Sequence, residues 1–139
     1  MPVTFEILPR RGLVVGRFTG LITVPDTSAA TAAYEAHPDF SVGQKQLIDM
    51  SGVSGHQIEP VSFMQMQATK ADRYTDRRMQ ALVVYYAPTP EAHALATMYA
   101  KSWDPVDAVV ALIQPDEARA LGLLGQSETS IEALLQTAH

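Results

Sequence analysis

Lys45-Gln46-Leu47-Ile48-Asp49-Met50 is an apolar-centred run of strand length, and Ser51-Gly52-Val53-Ser54-Gly55 follows it directly. The run is too short for a typical helix, and its two following glycines permit a tight reversal. The stretch therefore reads as a buried strand followed by a turn. What kind of sheet receives that strand depends on its flanks.

Upstream, Val3, Phe5 and Ile7 alternate with other residues, which predicts an opening strand with one packed face. Pro9-Arg10-Arg11-Gly12 marks a turn, and residues 13–19 supply the antiparallel partner that so short a connection permits. Pro25 and Asp26 suit the first turn of a helix that runs to Tyr34, and His37-Pro38 ends it.

Downstream of Pro60, Val61, Met64, Ala68 and Ala71 recur at spacings of three or four. The spacing predicts an inward stripe on a helix, with Met64 and Met66 filling core space and Phe63 extending the packed surface. Residues 79–86 are rich in β-branched and aromatic side chains and predict another strand. Thr89 and Pro90 start the next helix, with Leu95, Met98 and Tyr99 on its apolar side.

Residues 107–113 predict a strand, and residues 115–121 a helix with Asp116 and Glu117 at its positive end and Gly122 as its stop. A last helix is expected over about residues 128–136, capped by Ser127. The predicted order is ββαβαβαβαα. It implies one α/β domain over residues 1–139, a mixed sheet with an N-terminal hairpin and packed helices.

The formal charge of -5 and pI of about 5.2 disfavour nonspecific nucleic-acid binding. Arg10-Arg11 and Arg77-Arg78 read as solvent-facing charge at turns or helix ends. Zero Cys excludes disulfides, thiolate ligation and cysteine nucleophiles. With no signal-peptide pattern and no membrane-length apolar segment, the expectation is a cytoplasmic chain without integral membrane association.

At Leu47-Ile48-Asp49-Met50-Ser51-Gly52-Val53 the sequence resembles the anti-sigma-factor antagonist (STAS) family. It is most similar to the SpoIIAA-like branch, through the hairpin ending at Gly20, the helix before His37-Pro38-Asp39-Phe40 and the strand at residues 47–50. The likeness runs from Val3 to about Leu124. It implies a STAS-like fold and a regulatory role. Phosphoregulated members carry an Asp-Ser pair in the loop after this strand, and a partner kinase phosphorylates its Ser. Val53-Ser54-Gly55-His56-Gln57-Ile58-Glu59-Pro60 lacks that pair, and Ser51 and Ser54 lie earlier, so no phosphorylation site is expected.

Chemistry-bearing residues concentrate in the same segment. Asp49 can orient a ligand or accept backbone hydrogen bonds in a turn. His56 and Glu59 can share a proton-handling site or simply cap and solvate the helix entrance. His37, His56, His93 and His139 are dispersed, so neither a metal nor a cofactor is expected. Residues 51–55 match neither a nucleophile elbow nor a phosphate loop. Tyr85, Tyr86, Tyr99 and Trp103 suit core or oligomer packing better than a ligand pocket.

These readings predict a nonenzymatic module that binds an unknown protein or small-molecule partner through Asp49, Ser51, Ser54, His56 and Glu59. The alternatives are a small-molecule enzyme using Asp49, His56 and Glu59, and a structural homodimerisation domain. No catalytic residue is assigned.

Overall fold

A short connection forces the first two strands to run antiparallel. In the computed structural model, which describes residues 1–75 and 80–138, β1 (Val3–Leu8) pairs with β2 (Leu13–Thr23) from Val3 opposite Phe18 to Leu8 opposite Leu13. A single 3-10 turn at Pro9–Arg11 closes the hairpin. Gly12 follows it at φ 59°, a left-handed conformation that costs glycine little. The Arg77-Arg78 pair, Met79 at the expected start of a strand, and His139 lie outside the described residues.

Beyond the hairpin, β3 (Lys45–Gln57), β4 (Ala81–Tyr86) and β5 (Val109–Gln114) add in parallel, giving the spatial order β1-β2-β3-β4-β5. Each parallel step crosses over through one helix: α1 (Val24–Glu35), α2 (Pro60–Ala71) and α3 (Pro90–Ser102). Strands that always add on the same side, through crossovers of one hand, place all three helices on one face. After β5, α4 (Glu117–Leu123) and α5 (Ile131–Thr137) cover part of the other face. The mixed sheet and the order ββαβαβαβαα are as the sequence predicts.

Strand alternation splits the core in two. Phe18, Met50, Val83 and Tyr85 pack with Phe63, Leu95 and Tyr99 on the crossover face. Leu13, Val15, Leu47 and Val84 pack with Leu121, Leu124, Ile131 and Leu134 on the opposite face. Each such fully buried side chain is worth about 1.5–3 kcal/mol of apolar transfer.

Four local expectations are corrected. Ser51-Gly52-Val53-Ser54-Gly55 is not a turn: β3 continues through it, pairing Thr19 with Gly52 and Thr23 with Gln57 after two register shifts. A Cβ on Gly52 would lie 3.0 Å from Thr19 Cγ2, so this glycine permits close strand approach instead of a reversal.

On α2 the buried residues are Phe63, Met66 and Gln67, whereas Val61 and Met64 are 58% and 69% exposed. Two stripes of the same period compete on this helix, and the one carrying the phenylalanine ring takes the inside. The fourth helix starts at Glu117, capped by Asp116, with Gly122 inside it and Gly125 as the left-handed residue beyond. The last helix starts at Ile131 on a Ser130 cap. Glu128 is held outside it by a two-pronged pair of hydrogen bonds from Arg11, at 2.9 and 2.8 Å.

Candidate functional site

The residues singled out from the sequence are strung along β3 and its exit, and of them Asp49 and Ser51 touch. Asp49 is buried; its Oδ1 accepts from Ser51 N at 2.9 Å and Ser51 Oγ at 2.7 Å, and its Oδ2 lies 3.4 Å from Arg17 Nε. Both oxygens are thus committed to local structure. Seven residues of nearly extended chain, roughly 20 Å, separate Asp49 from His56, which sits opposite Ile22.

Ser54 is exposed and His56 half-buried. Glu59 caps α2, accepting from Val61 N at 3.1 Å and Ser62 N at 2.6 Å. Hydrogen bonds from Ser62, then from Val61, hold its carboxyl below the ordinary range. Asp49, His56 and Glu59 therefore share no common pocket. Among the described residues, no three His, Asp or Glu side chains come together to hold a metal ion.

A different site is built on the crossover face. Its floor is the sheet: Val3 and Phe5 of β1, Val14, Gly16 and Phe18 of β2, Gln46 and Ile48 of β3, and Tyr85 of β4. Alternation brings these positions to one side, and Gly16 leaves a gap among them that a Cβ would narrow, 3.1 Å from Ile48 Cδ1. The walls come from Thr27, Ala30, Thr31, Tyr34 and Glu35 on α1, from Phe40, from Lys70 and Tyr74 at the end of α2, and from Tyr99 and Trp103 around the end of α3. The half-open cavity they border is about 90 Å³. At roughly 30 Å³ per liquid water it has room for about three waters, or for part of a small organic molecule that extends into its mouth.

The aromatic walls are fixed by edge-to-face contacts and by hydrogen bonds at their polar tips. Tyr99 is met edge-on by Phe18 at 5.8 Å and Phe63 at 5.2 Å, and Tyr74 meets Trp103 at 5.5 Å. Tyr34 donates to Gln44 Oε1 at 2.6 Å, Tyr74 accepts from Gln46 Nε2 at 2.9 Å, and Tyr85 accepts from Trp103 Nε1 at 3.1 Å. The hydroxyls of Tyr99 and Thr27 share a bond of 2.9 Å. Burial raises all four tyrosine hydroxyls above their ordinary range, with Tyr99 pushed up to about 12, so they remain neutral.

Lys70 is the exception among these satisfied groups. Its Nζ lies 5.2 Å from the centre of the Tyr99 ring and 5.8 Å from that of Trp103, within cation–π range of both. Burial pushes the amine down to about 8, against a smaller opposing pull from Glu35. Glu35 itself is paired with Arg73 Nε at 3.1 Å. A concave apolar chamber with one convergent charged group of shifted basicity has the features of a ligand site.

Sequence reasoning missed this chamber. Tyr85, Tyr86, Tyr99 and Trp103 read from sequence as core or oligomer packing; Tyr85, Tyr99 and Trp103 are buried but also line the cavity, and Tyr86 points to the opposite face. Lys70 was legible only from the correct α2 stripe, since positions 63, 66, 67 and 70 share one helical face. Gly16 interrupts an apolar strand, a recognised mark of close approach by backbone or ligand. No protein-family model matches the chain, and comparison with curated proteins finds no match.

Proposed function

We propose that the chain is a nonenzymatic, STAS-like regulatory module that takes a small, largely apolar molecule into the chamber between the sheet and helices α1, α2 and α3. The observation that carries this reading is the chamber itself: aromatic walls, tyrosine hydroxyls already paired, and the Lys70 amine turned toward the space. The N-terminal hairpin and the strand order β1-β2-β3-β4-β5 support the STAS-like assignment. A catalytic site built on Asp49, His56 and Glu59 loses its premise, because those groups are spread along β3 and its exit.

Trp103 is the sole tryptophan and lines the chamber, so its emission reports occupancy. Titration with benzyl alcohol should change that emission saturably in the wild type. In Ala30→Leu, which places extra carbons on the α1 wall, the change should be lost while far-UV circular dichroism stays the same. Absence of any saturable change in the wild type would remove the proposal.

A further inference from the structure

Resting on that reading of the chamber, we propose that its occupant is a small monocarboxylate with an aryl or similarly compact apolar body, held by a charge-assisted contact from its carboxylate to Lys70. Among the described residues the charged lining of the chamber is Glu35 and Lys70, and Arg73 stands beside Glu35. Glu35 and Arg73 neutralise each other at 3.1 Å, which leaves Lys70 as the described lining charge without an ionic partner. Among the described residues Lys70 has ring faces as neighbours and no oxygen acceptor within bonding distance.

A half-buried ammonium whose neighbours among the described residues are π faces gains most from an anion that brings its own oxygens. A second cation would be repelled. A dianionic phosphate would expect several donors or a helix N-terminus, whereas Lys70 sits in the last turn of α2, where the helix end favours positive charge. One ammonium matches one carboxylate.

Size and shape select the rest of the molecule. A half-open cavity of about 90 Å³, smaller than the roughly 150 Å³ that encloses a benzene ring, takes a compact body of at most one ring with the rest of the molecule in its mouth, and not a long acyl chain. The edge-on rings of Phe18, Tyr74 and Tyr99 offer a flat apolar body the offset and edge contacts that aromatic groups prefer. The lowered basicity of the free amine adds a linkage: capture of a carboxylate stabilises the ammonium form, so binding takes up a proton once the solution is above about pH 8.

The test uses phenylacetate and its uncharged isostere phenylacetamide, followed by calorimetry and Trp103 emission. At pH 7 the wild type should bind phenylacetate at least tenfold more tightly than phenylacetamide. In Lys70→Met that preference should fall to within twofold while phenylacetamide still binds. The wild type alone gives a second measurement that does not depend on the variant folding: the preference should shrink steadily from pH 7 to pH 9.5. Equal affinity for the two probes in the wild type, or a preference that survives both Lys70→Met and high pH, would overturn the carboxylate inference while leaving the chamber reading intact. Failure of both probes to bind the wild type would remove the carboxylate inference and the chamber reading together.

Discussion

Replacing Lys70 by methionine should change how stability depends on pH, and the structure fixes both sign and size. The amine titrates near 8 in the folded chain against an ordinary 10.5. At about 1.4 kcal/mol per pH unit, that gap sets an upper bound of about 3 kcal/mol on the cost of keeping the ammonium inside. Below pH 8 both folded and unfolded chains carry the proton, so the cost is full and constant. Above pH 8 the folded chain releases it while the unfolded chain retains it up to about 10.5. The unfolded state then binds more protons, and stability climbs with pH.

Between pH 7 and 9.5 the wild type should gain about 1–2 kcal/mol from this residue. Beyond pH 10 the trend reverses, because the tyrosine hydroxyls are held above their ordinary value in the folded state. Lys70→Met carries neither the cost nor the climb. Urea denaturation read by far-UV circular dichroism at half-unit pH steps gives both curves. Other titrating groups cancel in their difference. The difference should favour the variant at pH 7 and narrow by about 1–2 kcal/mol at pH 9.5. Parallel curves across that window would refute the argument that the amine is desolvated and unpaired.

Three further outcomes follow from the packing. Tyr85→Phe removes the acceptor of the buried Trp103 N–H and should cost about 1–3 kcal/mol in urea denaturation; a loss below about 0.5 kcal/mol would mean that the indole finds another partner. Met64→Glu, on the exposed face of α2, should stay within about 0.5 kcal/mol of the wild type, whereas Met66→Glu should prevent stable folding; the reverse ranking in thermal melts would place the helix on its other stripe. The Glu128 carboxyl, held down to about 2 chiefly by its hydrogen bond from Arg11, should return toward the ordinary range in Arg11→Met, as read by side-chain NMR titration.

Much of the fold was legible because its signals are local. Thr89 caps α3 by accepting from Ala92 N at 3.1 Å, and Pro9 to Gly12 form the hairpin turn that their composition suggests. The continuation of β3 was not legible, since whether Gly52 and Gly55 bend the chain or lie flat depends on Thr19 and Leu21 of the neighbouring strand. The candidate site was hidden for a related reason. Met64 and Met66 look equally apolar in sequence, and only the fit of Phe63 against Tyr99 decides which rotation of α2 wins and therefore that Lys70 turns inward. The conspicuous polar residues, Asp49 and Glu59, are spent on the β3 backbone and on the α2 cap.

The length of β3 has a consequence of its own. Pairing with β4 ends at Asp49 opposite Tyr86, yet β3 runs on to Gln57 with only β2 beside it. Helix α2 therefore begins well past the rim of the parallel sheet and must travel back, about 15 Å from Pro60, before Lys70 reaches the chamber that Gln46 and Ile48 also line. The projecting ribbon acts as a depth gauge for the amine. Removing two residues from β3 and two from its β2 partner would preserve which side each remaining residue faces, yet draw α2 inward by about 7 Å, further than the distance that now separates Nζ from the Tyr99 ring. Loop and strand length at the far end of the molecule can thus retune what the chamber accepts without changing a single residue that lines it.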